Sequence, residues 1–374
     1  MATIRYRQRG VKKLWHYEIR DESGKSLAYQ GGFKTKRMAQ LTGSPIFQEI
    51  QKGTTLNSEM TLPQLYKQWY ELKIEKSGRS KATLQKYLQY EQKIVEYLDF
   101  PLNIITPMLY QKQLNIIGKN VNRGFLSLMT NAIKKAIQMA KADKIFVEDF
   151  TIGVEYFSDK TEKSSSEKYL HKYSDIALVL ETLRSEMDYK QSVVRYYLYL
   201  LFTTGMRPGE LLALTWNHVD FENQLLFTDN RVNSSTLEVV APKTKDSIRY
   251  VPVNHESIMV LKELRNEQKI TNNELGLKNT HNYVFQHYGL KKEIPTNASC
   301  NKILKKVLNR LEIKPVITIY GARHTRATFL VTEGIPLDVT AKILGHSVEE
   351  LTRTYRHLLS ETRNIEFERI KQLL

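Results

Sequence analysis

Four short segments in the second half of the chain hold residue types that can do chemistry. The first, Thr204-Gly205-Met206-Arg207-Pro208-Gly209-Glu210-Leu211, reads as a turn into a helix whose Leu211, Leu212 and Leu214 face inward. Arg207 then sits in the first turn, where the helix dipole disfavours a cation. An arginine there calls for an anion nearby or for pairing with Glu210, three residues on. In the second segment, residues 241–252, two β-type runs flank Lys243-Thr244-Lys245, so either lysine can project from a hairpin tip or simply be solvated. The third, Tyr320-Gly321-Ala322-Arg323-His324, leads into a helix. In the fourth, Gly345 reads as a helix stop, and Ser347 with Glu350 as a capping box for the next helix. His346 falls in the tight turn and Tyr355 about two turns into the following helix. Leu351, Tyr355 and Leu358 share a face, so Tyr355 taken alone reads as a core aromatic.

Taken in order and spacing, these segments resemble the tyrosine recombinase (phage integrase) family. Its pattern is T-G-x-R-x-x-E-L, a hairpin lysine, H-x-x-R, L-G-H, and a tyrosine nine residues after that histidine. Thr204-Gly205-Met206-Arg207 with Glu210-Leu211, then Arg323, Leu344-Gly345-His346 and Tyr355 match it. Aligning the Lys-Thr pair selects Lys243 as the hairpin lysine, with Lys245 the alternative. Tyr320 stands where the family usually has histidine. It can donate a hydrogen bond to phosphate, but with a pKa near 10 it is no neutral-pH base. The neighbouring His324 is not expected to replace it.

The resemblance implies transfer of a DNA phosphodiester to a protein hydroxyl, which builds negative charge on a five-coordinate phosphorus. Arg207 and Arg323 would match its nonbridging oxygens with forked donors that stay protonated. Tyr355 would attack in line, giving a 3′-phosphotyrosyl bond and a free 5′-hydroxyl. His346 would handle a proton or contact phosphate, and the lysine would protonate the leaving 5′-oxygen. The scheme needs no metal or other cofactor, and one cysteine cannot supply a zinc site.

The elements that must position these residues are expected as a mostly α, multidomain (α+β) chain. Residues 1–55 read as a small three-stranded sheet plus helix, 60–155 as a bundle of four or five helices and 156–168 as a polar linker. Residues 169–374 read as a mixed α/β domain with a small three-stranded antiparallel sheet, from β-type runs at 224–232, 236–242 and 248–253. The resemblance makes these an arm-type DNA-binding domain, a core-site-binding domain and the catalytic domain, the last two clamping duplex DNA.

Composition agrees with a polyanionic partner. The 56 Lys+Arg outnumber the 40 Asp+Glu, for a formal charge of +16, and neutralising phosphates releases condensed counterions. The first forty residues carry ten Lys/Arg against three acids. Candidate DNA contacts are Arg5, Arg7, Lys12, Lys13, Arg20, Lys34, Lys36 and Arg37 there, Arg79 and Lys81 in the bundle, and Lys245. No apolar run of membrane-spanning length occurs, and a bacterial cytoplasm is the expected setting. The resemblance further implies a homo-tetramer on core and arm sites, with an excisionase and a host DNA-bending protein as possible partners. A type IB topoisomerase-like relaxing enzyme and a catalytically silent DNA-binding protein are the competing readings.

Overall fold

The structure is a computed structural model describing residues 2–51, 60–145, 147–161, 164–234, 236–242, 244–288, 293–355 and 371. The chain divides into two compact units, Met1–Glu162 and Lys163–Leu374.

The first unit opens with an antiparallel sheet, β1 (Thr3–Arg9), β2 (Leu14–Arg20) and β3 (Ser26–Phe33), followed by α1 (Lys36–Gln51). Strand alternation puts Ile4, Tyr6, Tyr17 and Ile19 on one face, and α1 covers it. The Tyr6 hydroxyl reaches Ser44 at 3.0 Å, and a methyl on Gly43 would meet the Tyr17 ring at 2.8 Å. The register pairs Arg5 with Glu18, Arg7 with His16 and Thr3 with Arg20, so the uncovered face is basic. Arg5 and Arg7 are exposed there, and Arg20 donates to Glu18 at 2.8 Å. Lys12, Lys13, Lys34, Lys36 and Arg37 are exposed around the rim.

Four α-helices follow: α2 (Leu62–Trp69), α3 (Lys81–Tyr97), α4 (Pro107–Gly118) and α5 (Arg123–Ala142), with α2 continuing as a π-helix, Tyr70–Glu75. Ser80, Thr106 and Asn122 cap α3, α4 and α5 by accepting from backbone N–H groups one turn on. The apolar stripe of α5 (Leu126, Met129, Ile133, Ile137) is buried with Leu65, Tyr66, Trp69, Ile94 and Leu114. Arg79 donates to the Tyr87 hydroxyl at 3.0 Å, and Lys81 is exposed. The start of the polar stretch is tied to the bundle: the Ser158 hydroxyl donates to Val121 O at 2.7 Å and the Asp159 N–H to Gly118 O at 3.2 Å.

The second unit runs α6 (Tyr173–Ser185), α7 (Val194–Thr204), α8 (Pro208–Leu212), β4 (Val219–Asp220), β5 (Leu225–Thr228), β6 (Arg231–Val232), β7 (Val239–Val240) and β8 (Arg249–Pro252). It continues with α9 (His255–Leu275), α10 (Asn297–Arg310), α11 (Ile319–Thr332) and α12 (Leu337–Leu344), then a helical stretch over 348–355. Helix α7 is apolar around most of its circumference, with Arg195 turned to Glu186, as suits a helix at the centre of a core. Tyr196, Tyr197, Leu198, Leu200 and Leu201 are all fully buried.

The three-stranded antiparallel sheet is β4-β5-β8, not the three runs expected from the sequence. The run 224–232 breaks at Asp229-Asn230, and its far end forms β6, which pairs with β7 as a separate ribbon. The third strand is β4, whose two residues are too few to show an alternating pattern.

Candidate active site

Helix α7 delivers the chain to the site. It ends at Gly205, whose φ of +67° is left-handed and strains any side chain. Crowding forbids one as well, since a Cβ would lie 2.9 Å from Arg326 Cγ. The buried Tyr197 hydroxyl then donates to Pro208 O at 3.1 Å, which pins the start of α8 just past Arg207.

Arg207 donates from Nη1 to Glu210 Oε1 at 2.8 Å and to Ser247 Oγ at 3.0 Å, and from Nη2 to Gly345 O. Of the two readings of Arg207, the pairing with Glu210 is the one realised, and Arg207 also belongs to a cationic cluster. Arg323, only 4% exposed, donates from Nη1 to Gly205 O at 2.7 Å. Its Nη2 reaches Leu344 O at 2.6 Å and His346 Nε2 at 2.8 Å. The two arginines thus bond consecutive carbonyls of the turn that carries His346.

A third guanidinium completes the cluster. Arg249, at the start of β8 and 6% exposed, donates to Ile343 O at 2.6 Å, Ser247 O at 3.0 Å and Glu210 Oε2 at 2.9 Å. Glu210 serves Arg207 and Arg249 at once. Burial pushes its carboxyl up, but the two guanidiniums outweigh that and hold it below the usual range. Three arginines around one carboxylate leave an excess of positive charge, the condition for binding an anion.

The same charges fix protonation states. Burial, then Arg207, push Arg323 down to about 9, so it remains a cation at neutral pH. Burial, then Arg323, Arg207 and Arg249, push His346 down to about 3, so its imidazole is neutral. A guanidinium only donates, so His346 Nε2 is the acceptor and Nδ1 carries the hydrogen. That buried Nδ1 has no hydrogen-bond partner among the described residues. In this arrangement His346 offers a donor and not a base.

Tyr355 lies on the helix after that turn. Its ring is buried with Ala327, Val331, Ala341, Leu344 and Leu351, so the core-aromatic reading describes the ring. The hydroxyl does otherwise: it is bonded to His324 Nδ1 at 2.9 Å. Burial raises the phenol, and Arg323 is near enough to pull it back down.

The remaining expected residues stand apart. Tyr320 is 54% exposed, one turn before His324 on α11. Lys245 is exposed, in the short 3-10 turn Lys245–Ser247. Lys243 lies outside the described residues. Sequence reasoning did not assign Arg249, Ser247 or His324. Arg249 had a signal, because in a strand buried on alternate residues it shares the inward side with Val251. His324 had none beyond its place beside Arg323. Among the described residues, no cluster of three His, Cys, Asp or Glu could hold a metal, and no helix is long and apolar enough to cross a membrane.

This geometry, an arginine-rich cradle closed by a histidine turn with a tyrosine on the next helix, is the arrangement expected of the tyrosine recombinase class. The phage integrase family matches residues 174–362, half of the chain, and the chain belongs to that family. It is 27% identical over 377 residues to a XerC-like tyrosine recombinase of Caldanaerobacter subterraneus, covering 95% of this chain and 94% of that one. The ICEBs1 integrase of Bacillus subtilis is 29% identical over 191 residues, 49% of this chain and 50% of the relative. Among solved structures, the Tn1549 transposon integrase in complex with transposon right end DNA is similar with a TM-score of 0.67. That match has 19% identity and covers 83% of this chain and 100% of the other. A lambda integrase tetramer bound to a Holliday junction is similar with a TM-score of 0.55 and 16% identity, covering 90% and 92%. The likeness is to recombinases and does not favour a relaxing topoisomerase.

Proposed function

We propose that the chain is a site-specific DNA recombinase that cleaves and rejoins DNA through a 3′-phosphotyrosyl intermediate, integrating or excising a mobile element. The observation that carries this reading is the clasp of Arg207 and Arg323 on the turn bearing His346, with the Tyr355 hydroxyl bonded to the residue next to Arg323. Arg207 and Arg323 hold the nonbridging oxygens of the scissile phosphate, and His346 donates to one of them from Nδ1. Tyr355 is the nucleophile, and Lys243 is the acid for the leaving 5′-oxygen. Tyr320 contacts phosphate as a donor. The ester stores the energy of the broken bond, so a second 5′-hydroxyl can exchange strands without a further energy source.

The three parts of the chain divide the DNA between them. Residues 1–55 read arm sites through the basic face of β1-β2-β3, and 60–155 read the core site, with Arg79 and Lys81 on phosphate. Residues 169–374 hold the chemistry, with Lys245 beside the cleaved strand. A homo-tetramer on two DNA sites, helped by an excisionase and a bending protein in a bacterial cytoplasm, completes the proposal. What supports the DNA partner is the charge of +16 and the DNA-bound state of the similar integrases.

The test is covalent capture. Full-length protein incubated in chelator with a nicked suicide duplex, its sequence selected from a randomised pool, forms a DNA–protein adduct resistant to denaturant. No adduct from the wild-type chain, or an adduct that survives Tyr355→Phe, removes the reading.

A further inference from the structure

A nucleophilic tyrosine must lose its proton, and the site as built leaves few places for it. Tyr320 cannot serve as a neutral-pH acceptor. His346 has its acceptor nitrogen occupied by Arg323. From the geometry we infer that His324 is the general base for Tyr355, a catalytic role that rests on the phosphotyrosyl reading. The contact is direct, 2.9 Å between Nδ1 and the phenolic oxygen, within the reach required of a base. Of these two groups the phenol is the better donor and the imidazole nitrogen the better acceptor, so the hydrogen lies on the tyrosine.

Two further features fit. Burial, then Arg323 and Lys168, lower the His324 pKa and so favour the neutral ring that a base requires. His324 also lines a cleft of about 130 Å³ with Lys168, Tyr320 and Gly321. The charged and titratable groups around it are Lys168 and Glu167 from the segment before α6, Tyr320 and Arg323 from α11, His346 from the turn after α12, and Tyr355.

The step balances. The Tyr355 O–H proton passes to His324 Nδ1 as the phenolic oxygen bonds to phosphorus. The bond from phosphorus to the 5′-oxygen breaks, and the proposed acid, Lys243, protonates that oxygen. Rejoining returns each proton along the same path. His324 lies one helical turn beyond Tyr320, on the same face of α11.

The experiment measures single-turnover adduct formation against pH. It uses full-length protein and a wild-type-selected duplex resynthesised with sulfur bridging at the 5′ position. A sulfur leaving group needs no acid, so the base step is isolated. Wild type should rise with pH through a transition below 6.5 and then level. His324→Ala should fall by about 10²-fold or more and keep rising toward the phenol's own ionisation. His324→Asn, whose side-chain oxygen can hold the hydroxyl but take no proton, should behave as the alanine variant does. Both should shift the duplex in a gel as wild type does, which shows them folded. Wild-type rate and pH profile in the asparagine variant would overturn the inference, because His324 would then only position Tyr355. An unchanged or faster alanine variant would overturn it too, marking the bond as a latch. If wild type forms no adduct, or Tyr355→Phe still forms one, the underlying reading fails instead.

Discussion

Arg207 and Arg323 close on consecutive carbonyls of a single turn, the first on Gly345 and the second on Leu344. Arg207, the extended residue before α8, and Arg323 of α11 lie more than a hundred residues apart in sequence, yet their side chains are fixed by one short piece of backbone. Lysine at either position keeps the charge and loses the fork. Arg207→Lys and Arg323→Lys should each slow adduct formation by about 10²- to 10³-fold, the usual cost of one preorganised donor. Gel-shift affinity should change little.

Glu210 is 2% exposed and holds two guanidiniums. Glu210→Gln leaves buried positive charge uncompensated, at a cost of about 3–5 kcal/mol. Calorimetry should show a midpoint lower by roughly 10 °C for a unit of this size. Arg249→Met should cost less, because Arg207 still neutralises the carboxylate.

Acid should weaken the fold through two groups with the same sign. The Glu210 pKa is lowered by folding, so its contribution is full above the ordinary carboxylate range and is lost as pH falls through the lower folded value. His346 is pushed down to about 3, so between that value and about 6.5 the unfolded chain binds a proton that the folded chain refuses. Denaturant midpoints should drop steadily over that interval. His346→Asn should flatten the upper part of the slope, and an unaltered slope would disprove the assignment.

Gly345 has φ of +68°, and a Cβ there would lie 2.8 Å from Arg249 Nη1. Gly345→Ala therefore pushes on the arginine cluster through Arg249, and on the backbone at Asp246 O, 3.0 Å away. Left-handed backbone costs an alanine about 1–2 kcal/mol, but the shift also moves the carbonyl that Arg207 holds. Cleavage should fall at least tenfold while thermal stability falls by only a few degrees.

The basic face of the N-terminal sheet is tested by salt. Each phosphate contact removed should reduce the slope of log K against log salt by about 0.9. Replacing Arg5, Arg7 and Arg20 with glutamine should therefore lower the slope by nearly three for an arm-site duplex. Binding to a core-site duplex should keep its slope.

Much of this is legible in the amino-acid sequence. The three N-terminal strands and the stripe of α5 follow from plain periodicity, and Arg207, Arg323, His346 and Tyr355 from motif spacing. What stayed hidden depends on contacts distant in sequence. Nothing local marks Arg249 as the partner of Glu210, 39 residues away. The short β4 strand has too little sequence to show a pattern. His324 looked incidental because its meaning comes from Tyr355, 31 residues later. The protonation of His346 depends on burial and then on three arginines from three stretches of chain, which no reading of its neighbours could supply.

Arg249 spends its nitrogens on Glu210, Ser247 and Ile343, which belong to three separate stretches of chain. The cradle therefore belongs to no single sub-fragment, whereas α7 lies buried among apolar neighbours. A polypeptide cut before residue 343 would keep that interior yet carry loose guanidiniums, gripping nucleic acid without the means to break it.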